Sequence, residues 1–170
     1  MLQKPEIGEY PAFYETYVSK VQGADVWASL EDGLKKMLAF LNSIDEEKAN
    51  YAYAPGKWTI KEVLGHLIDS ERIFAYRALC FARKEKQALP GYDENEYVAE
   101  ANFQKRTIAS LILEYELLRK SSIASFRGLD EATYLQSGIA NGKEITVRAL
   151  IAIIAGHELH HLQVIKERYF

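Results

Sequence analysis

One cysteine, Cys80, occurs in 170 residues. No disulfide can close within the chain, a composition that agrees with a reducing cytosol and predicts a cytoplasmic protein. Long apolar runs are missing as well. The longest, Ala149 to Gly156, is far too short to span a bilayer. The opening MLQKPEIGEY lacks the apolar core of a signal peptide. Positive charge is not in excess: the net charge is −3 and the pI is near 5.9, with Lys and Arg scattered. That excludes the basic patch that nucleic-acid binding needs. Neither a nucleic acid nor a membrane is therefore expected as a partner. There is no internal repeat, no low-complexity tract and no convincing long strand.

What is present is an ordinary globular composition, 48% hydrophobic. A chain of this size is one domain, residues 1–170, and buries enough surface to need no staples. The periodicity is helical almost throughout. Pro5 to Tyr17 reads as a leader with one short helix. From Asp25, a plausible N-cap, apolar residues fall at Trp27, Leu30, Leu34, Met37, Leu38 and Leu41, which is helix spacing. Pro55-Gly56 makes a turn, and Thr59 with Glu62 forms a capping box, with Trp58 stapling onto Val63. That helix runs to about Arg83.

Lys84 to Tyr92 is a polar loop closed by Pro90-Gly91. Asp93 and Glu96 make a second capping box for a long helix through Phe103, Ile108, Leu111, Tyr115 and Leu118, fading near Phe126. Leu129 to Leu135 reads as a short helical turn. Asn141-Gly142 between Ile139 and Ile145 is a tight turn or tiny hairpin. Thr146 caps a last helix, reaching about Arg168, that is apolar on nearly every side over Ala149 to Ala155. Four long helices with short or medium connections predict an all-α four-helix bundle with a leader helix and a hairpin-like turn before the last helix.

All four histidines fall in two of these segments: His66 in one, and His157, His160 and His161 in the other. His157 and His161 are four residues apart, which leaves them only about 40° apart around a helix. Such a pair with His66 could hold a cation by three nitrogens and leave a position open for water or substrate. His66 stands among Val63, Leu64 and Leu67, and burying imidazoles there is costly unless they share a partner. An antiparallel pairing of the two helices levels the three rings best. The run His157-Glu158-Leu159-His160-His161 also matches H-E-x-x-H, the zinc-protease signature. A protease reading is disfavoured, because no third ligand follows and no long strand is available to hold a peptide.

Neighbouring residues are candidates for other roles. Asp69, Asp93, Glu158 and His160 are candidate acid–base or ligand-orienting groups. For each a structural role competes: an exposed carboxylate for Asp69, an N-cap for Asp93, a salt bridge for Glu158, an interhelix hydrogen bond for His160. Arg77, eleven residues after His66, is a candidate for an anionic substrate group or an interior ion pair. Trp58 and Tyr92 are candidates for the rim of a pocket.

PGKWTIKEVLGHLIDSERIFAYRALCFAR, LPGYDENEY and ITVRALIAIIAGHELHHLQVIKERY occur in that order. They carry W-[ST]-x-x-E-x-x-x-H and a C-terminal H-x-x-x-H. In these motifs the chain, over roughly residues 25–170, resembles the DinB-like (YfiT-like) superfamily of metal-dependent hydrolases. The resemblance implies an up-down-down-up four-helix bundle, often a homodimer. It also implies one divalent ion, usually zinc or nickel, on His66, His157 and His161. Some members transfer a low-molecular-weight thiol, such as glutathione or bacillithiol, onto electrophiles. The expectation is a metal-dependent hydrolase acting on a small molecule. A thiol transferase and a non-catalytic, metal-stabilised binding module are the alternatives.

Overall fold

The computed structural model describes residues 1–170. A 3₁₀ turn, Ala12–Tyr14, leads into α1, Glu15–Val18. The helices that follow are α2 (Val26–Leu41), α3 (Glu46–Ala49), α4 (Ile60–Ala82), α5 (Glu94–Ala101), α6 (Ile108–Arg127) and α7 (Glu131–Tyr134). A two-stranded hairpin, β1 (Ser137–Ala140) and β2 (Lys143–Thr146), precedes α8 (Val147–Arg168). No helix is long and apolar enough to cross a membrane.

Local chemistry sets most boundaries where sequence reasoning puts them. Asp25 accepts from the Trp27 amide at the start of α2. At α4 the Glu62 amide donates to Thr59 Oγ1 (3.2 Å) and the Thr59 amide donates to Glu62 Oε2 (2.7 Å), a complete capping box. Thr146 accepts from the Ala149 amide to open α8. In the hairpin Asn141 and Gly142 both take positive φ, 51° and 71°, as a two-residue turn matching strand twist requires.

Two expectations are corrected. The single helix from Asp93 to Phe126 is two helices. Asn102 enters the left-handed region (φ 54°) and ends α5, and Thr107 caps α6 by accepting from the Ser110 amide. The break serves packing. It lets Phe103 bury its ring against α4 at Gly65, where a Cβ would stand 2.3 Å from the aromatic carbons. The second capping box is half of one: Asp93 accepts from the Asn95 and Glu96 amides, with no return bond from Glu96. The short α3 carried no periodic signal.

Around the bundle the order is α2, α8, α4, α6. Lys61 at the start of α4 and the Ile108 amide at the start of α6 both bind Glu46, so α4 and α6 are parallel. The Tyr169 hydroxyl donates to the Trp58 carbonyl (2.6 Å), tying the end of α8 to the start of α4, so this pair is antiparallel. Phe40 near the end of α2 meets Phe170 just beyond α8, so these two are parallel. The bundle is thus up-down-down-up. Its apolar interior forms two clusters, one around the first half of α8 and one around the starts of α4 and α6.

Candidate metal centre

The antiparallel contact of α4 and α8 brings three imidazoles together. His157 Nε2 lies 3.0 Å from His66 Nε2 and 3.0 Å from His161 Nε2. The ring of His66 is 4.9 Å from that of His157 and 5.0 Å from that of His161. Candidate ligand atoms of the three all fall within 4.8 Å of one another, and no carboxylate or thiolate joins the group.

Burial decides the protonation of these rings. Desolvation pushes His66 down to about 4 and His161 to about 3, and it holds His157 well below the ordinary imidazole range. All three are neutral at pH 7 and present lone pairs rather than repelling charges. Hydrogen bonding among themselves does not satisfy them, since the one Nε2 of His157 faces two ring nitrogens and His161 Nδ1 is buried without a partner. A cation bound at 2.0–2.1 Å from each nitrogen can bridge separations of 3.0 Å. The donor set therefore fits a divalent metal.

These rings form the floor of a cavity of about 550 Å³. Its walls come from distant parts of the chain. Tyr14 and Tyr17 belong to the leader, and Tyr17 stacks edge-on against His157 (4.9 Å) and His160 (5.4 Å). Trp58 lies 4.9 Å from His66. Tyr92, on the loop after α4, bonds Ser70 Oγ at 2.8 Å, and Ser70 Oγ is 3.4 Å from His66 Nδ1. That loop is pinned to the hairpin: the Leu89 amide donates to Ile139, and the Asn141 amide donates to Leu89. A second cavity, about 680 Å³, opens between the first residues and α7 and holds no histidine.

The other sequence candidates scatter. His160 lines the cavity half-exposed, its ring 5.0 Å from that of His161. Trp58, Tyr92 and Arg77 line it too. Asp69 does not reach an imidazole; it lies 4.0 Å from Arg72, and the neighbouring Ser70 stands beside His66 instead. Asp93 is occupied as a cap. Glu158 turns into the bundle, away from the cavity. It pairs with Arg119, which also holds Glu71 at 2.9 Å, and accepts from the Tyr115 hydroxyl. That orientation removes the general base a zinc-protease reading of H-E-x-x-H needs. Sequence reasoning missed Ser70, Phe74, Tyr14 and Tyr17. The spacing Tyr14 to Tyr17, with Phe13 beside it, was the available signal in the leader.

A bundle that gathers three neutral histidines from two antiparallel helices at the base of an aromatic-walled cavity defines a class of metal-site proteins. The chain belongs to the DinB superfamily, whose sequence profile matches residues 29–165. Two relatives from Oceanobacillus iheyensis are classed, by name only, as metal-dependent hydrolases. OB0413 is 27% identical over 128 residues, covering 74% of this chain and 73% of its own. OB0782 is 26% identical over 168 residues, covering 95% and 93%. Among solved structures, YfiT from Bacillus subtilis is described as a probable metal-dependent hydrolase with an unusual four-helix bundle topology. It superposes with a TM-score of 0.72 at 19% identity, over 96% of this chain and 90% of YfiT. A mycothiol-dependent maleylpyruvate isomerase shares the fold, with a TM-score of 0.67 at 13% identity, over 81% of this chain and 58% of the isomerase.

Proposed function

We propose that the protein is a metal-dependent hydrolase of small electrophilic substrates, with His66, His157 and His161 as ligands of one divalent ion. The observation that carries this reading is the convergence of three neutral imidazole nitrogens on the floor of a cavity. When bound, such an ion supplies a water of lowered pKa and polarises a carbonyl or phosphoryl oxygen. A structural ion is ordinarily closed by a fourth protein ligand; the three-nitrogen donor set favours a reactive site.

The chain's own residues do the rest. Ser70, held by Tyr92, sits at His66 Nδ1 and orients the ring so that Nε2 faces the other two. Trp58, Phe74 and Tyr17 wall the rings with apolar surface and exclude bulk water from them. Burial keeps each ring unprotonated at neutral pH, so no proton has to leave before a ligand bond forms.

Elemental analysis of protein purified without chelators, beside His66→Ala, tests the site. One divalent ion per chain is expected in the wild type and a large loss in the variant; equal content in both removes the reading. Loaded protein is then assayed on nitrophenyl esters with and without a low-molecular-weight thiol. Hydrolysis independent of thiol is the expected result, and a rate that appears only with thiol reassigns the site to thiol transfer.

A further inference from the structure

Phe74 and Arg77 continue the stripe of α4 that begins with His66 and Ser70. Their spacing, four, four and three residues, keeps all four on one face of the helix. Helical side chains lean toward the N-terminus, so the long Arg77 side chain reaches back along α4 toward the histidines. Phe74 stands between. Its ring is 6.2 Å from the ring of His157 and 6.0 Å from the Arg77 guanidinium carbon.

Two arginines of the molecule are buried, and they are treated differently. Arg119 is 1% exposed and holds two carboxylates, Glu71 and Glu158. Arg77 is 4% exposed and has no acidic partner. Its Nη2 donates to the Pro90 carbonyl at 2.7 Å, and the Tyr14 phenol lies beside it. A buried guanidinium is expensive unless an anion compensates it. Arg77 lines the same cavity as the three histidines. The charges around that cavity are Arg77 and Lys143 against one carboxylate, Glu94, so the wall is complementary to negative charge.

We infer that the substrate of this cavity carries an oxyanion head, a carboxylate or a phosphate, bound by the Arg77 fork, and an apolar or aromatic spacer that lies over Phe74 and presents the reacting bond to the histidines. The assignment rests on reading the cavity as an active site. A planar fork suits bidentate capture of such a head, and the Pro90 carbonyl fixes its orientation.

The test uses three small phenyl probes: 3-phenylpropionate, its neutral isostere 3-phenylpropionamide, and phenyl phosphate. Binding is measured by calorimetry on the wild type, on His66→Ala, and on Arg77→Met and Arg77→Lys, with metal content recorded for each. Both the wild type and His66→Ala are expected to prefer an anion over the amide by roughly tenfold or more. The variant without the metal ligand separates anchoring at Arg77 from binding at the ion. The relative affinities of the carboxylate and phosphate arms identify the head. Arg77→Met is expected to erase the preference and leave metal content and amide binding unchanged; Arg77→Lys restores part of it. Wild-type protein with no preference for the anions, or Arg77→Met protein that keeps it, overturns the inference. Loss of the ion site, by contrast, shows in the metal content of the wild type and would leave the anion preference standing.

Discussion

At the scale of single residues, the histidines link metal binding to acid stability. His66 titrates near 4 and His161 near 3 when folded, against about 6.5 for a free imidazole. Between those values the unfolded chain binds more protons than the folded one. Metal-free stability is therefore full above about pH 7 and falls as pH drops through 6.5 toward 4. The linkage is roughly 1.4 kcal/mol per pKa unit per ring, so a loss of several kcal/mol is expected. Urea melts in chelator from pH 7.5 to 4.5 measure it, and His66→Ala is expected to show a shallower slope. A flat wild-type profile would mean that the rings are hydrated in solution.

At the scale of elements, the contact of α1 with α8 rests on one missing atom. A Cβ on Gly156 would stand 2.0 Å from the Tyr17 carbonyl oxygen. Because the obstacle is backbone, Gly156→Ala has to push α1 off α8. About 1–3 kcal/mol of destabilisation is expected, with faster hydrogen exchange confined to residues 12–18 and metal content retained. Denaturant unfolding and exchange mass spectrometry read the two effects. The helices themselves were legible, because caps and 3.6-residue periodicity are local: Thr59 with Glu62, Thr146, and Asn141-Gly142 all announced their boundaries. The break at Asn102 was not, since the apolar spacing runs on through Phe103 and only the tertiary fit of that ring against Gly65 demands it. The three histidines were readable as a set because two share a helix face and the third sits in an apolar run. Their neighbours were not. Glu158 looked available as a base because the sequence does not show that Arg119 and Tyr115, some forty residues upstream, close on it in the interior. Ser70 was passed over for Asp69 because both lie about one turn from His66 and a carboxylate is the more familiar partner.

At the scale of the whole molecule, the centre joins two helices that each contribute to both apolar clusters. An ion there binds the folded state alone and stabilises it by mass action, by about 4 kcal/mol at a thousandfold excess over its dissociation constant. For a chain of 170 residues that corresponds to a rise on the order of 10 °C in thermal midpoint. Calorimetric scans with zinc or nickel and with chelator check it; identical midpoints would mean that no ion binds the folded state in preference to the unfolded one. The floor and the walls of the cavity come from separate pieces of the chain. α4 and α8 supply the histidines, and α4 also carries Phe74 and Arg77, whereas the leader, the loop at Tyr92 and the hairpin tip supply the rest of the wall. Part of the cavity wall is thereby encoded apart from the three histidines. Under the proposed function, grafting another relative's first two dozen codons onto this scaffold, with an aromatic kept at Tyr17 to cover His157, is expected to alter which molecules are admitted while the three histidines stay in place.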